Sequence, residues 1–178
     1  MADPRNKLVN ALRELASAKN ISKISVNDIL ERAEVSRQTF YKYFPDKYAL
    51  SFYVYLQDIA KLAVDSFVTN KDFDAMNLLI LETIEKHPAF YKNMFNDSSS
   101  QNSFVAQYHQ YDIEQTSEFI GGAHITPDLE LLIDMYSSGT ERLIARWVTT
   151  GMKEDKQHIV SMFRRAMPEE LKPYLLKE

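Results

Sequence analysis

The segment that most constrains the fold is residues 25–50, SVNDILERAEVSRQTFYKYFPDKYAL. Three helix starts are expected in it, because Ser25, Ser36 and Asp46 are N-cap residues, each followed by apolar residues at helical spacing. Pro45 ends the middle helix, since proline disfavours helical geometry in the residue before it. These intervals leave room only for short helices joined by tight turns. The segment therefore predicts a helix-turn-helix followed directly by a further helix.

The composition of the chain favours helices throughout. Of its 178 residues, 45% are hydrophobic and only 4 are glycine and 6 proline, so few residues are available for the many turns of a β fold. We expect an all-α protein of about nine helices. An N-terminal three-helix domain, residues 1–50, is expected to join a C-terminal helical domain, residues 51–178, with loops near residues 96–103 and 121–126.

The charges are divided unevenly between these two regions. The formal net charge of the chain is −4, but residues 1–50 hold 9 Lys and Arg against 6 Asp and Glu, a net charge of +3. Residues 51–178 hold 12 against 19, a net charge of −7. A cationic N-terminal region on an acidic body is typical of a nucleic-acid-binding module with a separate regulatory domain.

The second helix of the predicted motif carries many hydroxyl, amide and cationic side chains, which are the groups that reach phosphates and base edges. Gln38 and Thr39, near its start, are the expected base readers, and Arg37 could contact a guanine or a phosphate. Lys47 is expected to bind a phosphate, because amide groups and the dipole at a helix start attract anions. A three-helix cluster with a solvated polar face is the alternative. The predicted DNA-contacting residues are Ser25, Ser36, Arg37, Gln38, Thr39, Tyr41, Lys42, Tyr43 and Lys47.

Residues 34–50, EVSRQTFYKYFPDKYAL, resemble the signature of TetR/AcrR-type transcriptional regulators. The shared pattern is V-S-x-x-T-F-Y-x-Y/H-F-x-x-K-x-x-L, preceded one helix earlier by I-x-x-x-A, here Ile29 and Ala33. Two residues depart from the family pattern. Glu34 stands where glycine is usual, so a non-glycine residue must adopt the backbone angles of the turn, and Gln38 replaces a glycine before the threonine.

The variant R-Q-T-F-Y is similar to a subgroup of the family, regulators of the dihydroxyacetone kinase activator type, and residues 135–151 resemble the C-terminal region of that subgroup. The resemblance implies a regulator that binds a palindromic operator in double-stranded DNA. Repression released by a small-molecule or protein effector is the expected function. A protein-partner-dependent transcriptional activator without a small ligand is the alternative.

The resemblance also implies a homodimer built from the last two long helices. The sequence supports this, because the apolar stripe of Pro127–Thr149 is broader than one buried side requires, and small residues occupy positions 137–140. A core helix of a monomer is the alternative. An effector is expected to contact aromatic or methionine side chains of the body, which could equally be core. These candidates are Tyr55, Met76, Phe90, Met94, Phe104, Tyr108, Tyr111 and Tyr136.

Other functional classes lack support in the sequence. There is no cysteine, so disulfides and thiolate metal sites are excluded, and no nucleotide-binding or hydrolase motif occurs. Among the four histidines, His87, His109, His124 and His158, the only close carboxylate neighbour at helical spacing is Asp112, after His109. We expect no enzyme activity, cofactor or metal. Without an apolar run of about 18 residues, the protein is expected to be soluble and cytoplasmic, with no membrane partner.

Overall fold

The computed structural model describes residues 3–96, 103–121 and 125–176, and within these ranges it contains helices and no strand. His124 and most of the two expected loops lie outside the described residues. A 3₁₀ turn at Ile21–Lys23 precedes the second helix, and a π-helical turn at Leu56–Ala60 follows the fourth. The predicted all-α fold is confirmed. The α-helices are α1 (Pro4–Ala18), α2 (Val26–Ala33), α3 (Arg37–Tyr43), α4 (Lys47–Tyr55), α5 (Lys61–Asn70), α6 (Phe73–Lys86), α7 (Pro88–Phe95), α8 (Phe104–Ile120), α9 (Pro127–Thr149), α10 (Lys156–Ala166) and α11 (Lys172–Leu175).

The structure divides one expected helix and adds another. Apolar periodicity predicts a single helix over residues 46–69, but the π-helical turn interrupts it, because its wider turn shifts hydrogen bonds from the fourth to the fifth residue. The short helix α11 follows α10 and is held by the buried side chains of Leu171 and Leu175. Apolar spacing cannot indicate a helix of a single turn.

The chain divides into two compact units. The first consists of residues 1–57 and 87–107, and the second of residues 58–86 and 108–178. In the first unit α7 packs on α1, where the Asn93 amide donates a hydrogen bond to the Ala16 carbonyl oxygen at 2.7 Å. The expected domain boundary after residue 50 follows the family motif and stays a prediction.

Local caps determine where the helices of the first unit begin. Asp3 accepts a hydrogen bond at 2.9 Å from the Arg5 amide, which is the first N–H group of α1 because Pro4 has none. Ser25 and Asp28 cap α2 reciprocally, each side chain accepting from the other residue's backbone amide. Ser36 caps α3 and Asp46 caps α4. The starts of α2, α3 and α4 were predicted from the sequence, because an N-cap depends only on residues within one turn.

The cores of the two units are apolar. In the second unit, α5 and α10 pack on α6, and α9 packs on α10. The Trp147 indole holds the α9–α10 connection by donating a hydrogen bond to the Glu154 carbonyl oxygen at 3.0 Å.

In the part of the chain that the structure describes, no helix has both the length and the apolarity needed to cross a bilayer. Buried core residues include Leu8, Leu12, Ala16, Ile29, Phe40, Leu50 and Val54 in the first unit and Phe67, Leu81, Ile84, Ile133, Ile144, Trp147 and Phe163 in the second.

Candidate DNA-binding site

The turn between α2 and α3 is built on a left-handed residue. Glu34 has φ 53° and ψ 48°, and the next amide, Val35, donates to the Leu30 carbonyl oxygen at 3.2 Å. The sequence-based expectation that a non-glycine residue takes the turn conformation here is confirmed. A left-handed conformation costs a residue with a Cβ atom about 1–2 kcal/mol. Glu34 therefore stores backbone strain at the point that sets the angle between the two helices.

Helix α3 has one buried face and one exposed face. Phe40 and the following Phe44 are 0% and 5% exposed, and their ring centroids lie 6.0 Å apart. Phe44 also packs on the ring of Tyr53 in α4, with centroids 5.2 Å apart. Burial of these rings fixes the rotation of α3 about its axis. Its opposite face is therefore turned to solvent.

The exposed face of α3 brings most of the predicted contact residues together. Tyr41 is 48% exposed and Tyr43 is 37% exposed. Thr39 and Lys47 are half-buried. The other predicted residues, Ser25, Ser36, Arg37, Gln38 and Lys42, are all exposed. Ser25 lies at the start of α2 and Lys47 in the first turn of α4, so these two belong to neighbouring helices rather than to α3.

Several of these side chains already have partners within the protein. The Ser36 hydroxyl accepts a hydrogen bond from the Thr39 amide at 3.1 Å and lies 2.8 Å from the Thr39 hydroxyl. The Ser25 hydroxyl accepts from the Asp28 amide at 3.1 Å. These hydroxyls serve as helix caps, and a hydroxyl that accepts from an amide can still donate to a phosphate. Their contact with DNA stays a prediction.

Two residues that the sequence did not single out orient the basic side chains. The Asn27 side-chain oxygen, on α2, accepts a hydrogen bond from the guanidinium group of Arg37. The guanidinium carbon of Arg5 lies 5.6 Å from the centre of the Tyr43 ring, and Lys42 Nζ lies 5.7 Å from it. No local pattern indicates these contacts, because they join separate helices or depend on side-chain rotamers. The contact with Tyr43 places one further cation, Arg5, beside α3.

The first turn of α4 differs from the sequence-based expectation in its details. Lys47 Nζ donates hydrogen bonds to the carbonyl oxygens of Ile21, Ser22 and Ile24, at 2.7, 3.2 and 2.8 Å. The Lys47 ammonium group also lies 5.1 Å from the centre of the Tyr48 ring. Binding of a phosphate by Lys47 stays a prediction.

Ion pairs lie at both ends of α2. The Lys19 ammonium group lies 3.4 Å from the Asp28 carboxylate. The hydrogen bond from the Ser25 backbone amide, more than this lysine, lowers the pKa of Asp28. Arg32 near the end of α2 pairs with Glu14 of α1. These pairs neutralise cations that contribute to the positive net charge of residues 1–50.

The eight candidate effector contacts are divided between the two units. Tyr55, Phe90, Met94 and Phe104 belong to the first unit and are each at most 3% exposed, and the Tyr55 and Phe104 rings meet edge to face with centroids 5.9 Å apart. In the second unit, the Tyr136 hydroxyl donates to the Phe163 carbonyl oxygen at 2.9 Å. Met76, Tyr108 and Tyr111 belong to this second unit as well. A role of any of these residues in effector binding stays a prediction.

The second unit contains a partly buried polar cluster that joins α8 to α9, in which Glu141 is buried and Asp134 is exposed. His109 Nδ1 lies 2.9 Å from Glu141 Oε1, and His109 Nε2 lies 2.9 Å from Asp134 Oδ1. The sequence pointed to Asp112 as the neighbour of His109, whereas these two hydrogen bonds join His109 to carboxylates of another helix. Within the described ranges, no group of three or more histidine and carboxylate side chains is placed to hold a metal ion.

Burial sets the protonation of this cluster. It raises the pKa of Glu141 to about 7 and also raises the pKa of Asp112. Burial alone would lower the pKa of His109, but hydrogen bonds and charges from Glu141 and then Asp134 outweigh it and raise that pKa. The Ser137 hydroxyl is also buried here, and its interaction with the Asp112 carboxyl partly opposes the rise in the pKa of that carboxyl.

A helix-turn-helix with an exposed polar recognition helix, joined to an all-helical body, defines a DNA-binding transcriptional regulator rather than an enzyme. The family described as "Bacterial regulatory proteins, tetR family" matches residues 8–54. The family described as "Transcriptional regulator C-terminal region" matches residues 71–169, which is more than half of the chain. The chain belongs to the TetR family of transcriptional regulators, as the motif predicted.

A relative of known function agrees with this assignment. The dhaKLM operon transcriptional activator DhaS of Lactococcus lactis is 28% identical over 122 residues, and the match spans 63% of this chain and 63% of that relative's length. The similarity to dihydroxyacetone kinase activator-type regulators is thereby confirmed.

Solved structures share the fold. The dihydroxyacetone kinase operon activator DhaS has a TM-score of 0.61 at 17% identity, covering 98% of this chain and 99% of that one. A TetR regulator from Rhodococcus sp. RHA1 has a TM-score of 0.64 at 18% identity, covering 98% and 97%. Thermus thermophilus FadR, a repressor solved with lauroyl-CoA, has a TM-score of 0.63 at 17% identity, covering 98% and 96%. At these identities the likeness shows the fold alone.

Proposed function

We propose that the chain binds an operator in double-stranded DNA with α3 as its recognition helix. The observation that carries this proposal is the exposed face of α3, where Arg37, Gln38, Tyr41 and Lys42 are exposed to solvent while Phe40 is buried. Gln38, in the first turn, has the bidentate amide that recognises adenine. Arg37 and Lys42 supply positive charge for guanine or phosphate contacts.

The proposal is tested by selection of bound sequences from randomised duplex DNA with the purified full chain. We expect enrichment of a two-fold symmetric sequence. Lys42→Ala should then weaken binding to every enriched sequence, because a phosphate contact carries no sequence information. Lys86→Ala, an exposed lysine at the end of α6, is the matched control and should bind like the wild type. Selection that enriches no sequence would contradict the proposal.

We also propose that the chain acts as a homodimer through α9. Leu131 and Met135 are 62% and 72% exposed, and they lie one helical turn apart. Gly139 lies one turn further along α9, and a Cβ atom added there would meet no other atom of the described residues within 4 Å. A second copy could approach this exposed stripe closely and cover its apolar side chains. Two copies of α3 would then read half-sites about 34–36 Å apart or near that spacing.

The sign of regulation has two candidates. Repression released by a small-molecule or protein effector is the first. Activation that depends on a protein partner is the second, and it is favoured by the name of the 28% identical relative, a transcriptional activator. Transcription from a promoter carrying the selected operator distinguishes them. Repression predicts fewer transcripts when the purified protein is added. Partner-dependent activation predicts more transcripts, and only when a cell extract that supplies the partner is added as well.

A further inference from the structure

Lys47 connects the first turn of α4 to the segment between α1 and α2. Its ammonium group has three N–H donors, and three carbonyl oxygens, those of Ile21, Ser22 and Ile24, lie 2.7–3.2 Å from Nζ. The side chain is half-buried. The number of acceptors therefore matches the donor capacity of the ammonium group.

The start of α4 offers little to a phosphate. The Asp46 carboxylate accepts hydrogen bonds from the Tyr48 and Ala49 amides, both at 2.8 Å. Unpaired amides of this kind are what makes a helix start attractive to an anion. Here a carboxylate of the same chain already occupies two of them and adds a negative charge. The amides of the helix start are therefore less available to a phosphate, and the Lys47 ammonium group is turned toward carbonyl oxygens.

The segment that Lys47 holds leads directly into α2. Ile24 immediately precedes Ser25, the N-cap of α2, and its carbonyl oxygen is one of the three acceptors. The side chains of Ile21 and Ile24 are 0% and 1% exposed, so the core holds the same segment from its other side. A shift of Ile24 would move the first turn of α2, and α3 packs on α2.

We propose that Lys47 is a positioning residue for DNA binding, which holds the start of α2 against α4 through these three carbonyl oxygens and does not contact a phosphate. The inference rests on the proposed binding of DNA through the helix-turn-helix. Lys47 acts on affinity by keeping α2 and α3 in the arrangement that fits the DNA. Its replacement should therefore weaken binding to every sequence, while the number of counterions released on binding stays the same.

Salt dependence separates a positioning residue from a phosphate contact. Binding of the selected operator is measured by fluorescence anisotropy over a range of salt concentrations for wild type, Lys47→Met, Lys47→Arg and Lys42→Met. We expect Lys47→Met to bind about tenfold more weakly at every salt concentration, with the wild-type slope of log K against log salt. Lys42→Met should reduce the magnitude of that slope by about 0.9, because one phosphate is then no longer neutralised.

The arginine variant adds an independent comparison. Arginine keeps the positive charge, but its planar fork cannot direct three donors to one point as an ammonium group does. Positioning predicts that Lys47→Arg binds more weakly than wild type with an unchanged slope. Wild-type affinity of Lys47→Arg, together with a reduced slope for Lys47→Met, would overturn the inference.

Hydrogen exchange without DNA tests the contact itself. The Lys23 and Ile24 amides donate to the Asn20 and Ile21 carbonyl oxygens at 3.0 and 3.1 Å, within the segment that Lys47 holds. We expect them to exchange faster in Lys47→Met and at the wild-type rate in Lys42→Met. Equal rates in all three proteins would overturn the inference. If Lys47→Met does not fold, Lys47→Arg gives both measurements. Failure of the wild type to bind any DNA would refute the proposed function, while the exchange rates would still test Lys47.

Discussion

Replacement of Glu141 by glutamine gives the sharpest test of the electrostatics of the second unit. Glu141 is 7% exposed and hydrogen-bonded to His109, and burial raises its pKa from an ordinary 4.5 to about 7. Each pKa unit corresponds to about 1.4 kcal/mol, so charging this carboxyl costs the folded protein about 3 kcal/mol more than the unfolded chain. About 2.5 kcal/mol of that cost develops as the pH rises from 5 to 8.

The sign of the pH dependence of stability follows from the raised pKa. The folded protein binds the Glu141 proton more tightly than the unfolded chain does. The stability that this proton contributes is therefore complete below pH 4.5 and is lost as pH rises through about 7. His109 also has a raised pKa, and its contribution is complete below pH 6.5 and lost as pH rises through its folded pKa. Both groups therefore make the second unit less stable as pH rises from 5 to 8.

The assay uses Trp147, the only tryptophan of the chain, which is buried in the second unit. Its fluorescence follows urea unfolding of wild type, Glu141→Gln and the control Glu170→Gln, an exposed carboxylate, from pH 5 to pH 8. We expect the free energy of unfolding to fall with pH in wild type and control, and to fall by about 2 kcal/mol less in Glu141→Gln. A wild-type value that rises with pH, or a Glu141→Gln protein with the wild-type pH slope, would refute this reasoning.

Three further substitutions test other parts of the molecule. Glu34→Gly should raise the free energy of unfolding of the first unit by up to about 1 kcal/mol, because glycine adopts φ 53° without a Cβ penalty; a lower melting temperature would contradict this. Gln38→Ala should change which operators are enriched from randomised DNA, and an unchanged profile would exclude base reading by Gln38. Met135→Asp should turn a sedimenting dimer into a monomer at micromolar concentration, because it places a charge in the exposed apolar stripe of α9. Wild-type protein that sediments as a monomer would contradict the proposed dimer.

The parts of the fold that the sequence predicts are those set within one helical turn. Ser25, Ser36 and Asp46 determine helix starts because a cap and the amides it accepts from lie within three residues of each other. The left-handed Glu34 was predictable for a similar reason, since the turn between two closely spaced helices needs that conformation. Phe40 also follows from local spacing, which places it on the buried face of α3.

The contacts that the sequence could not predict join helices through side-chain rotamers. His109 illustrates this, because helical spacing offered Asp112 on the same helix, whereas Glu141 and Asp134 approach from α9. The Arg37–Asn27 hydrogen bond likewise depends on how α3 crosses α2. A sequence pattern gives the face on which such a residue lies, but the partner is fixed only by packing between helices.

The distribution of charge in the first unit acquires a different meaning once these partners are known. Arg5, Lys19 and Arg32 each pair with a carboxylate, respectively Asp3, Asp28 and Glu14, so they add little to a field that attracts DNA. Lys47 faces carbonyl oxygens. By contrast, Arg37 is bonded to a neutral amide and Lys42 lies beside the Tyr43 ring, so both keep their full charge on α3. Arg37 and Lys42 therefore place positive charge directly on the recognition helix, which the net charge of residues 1–50 does not reveal.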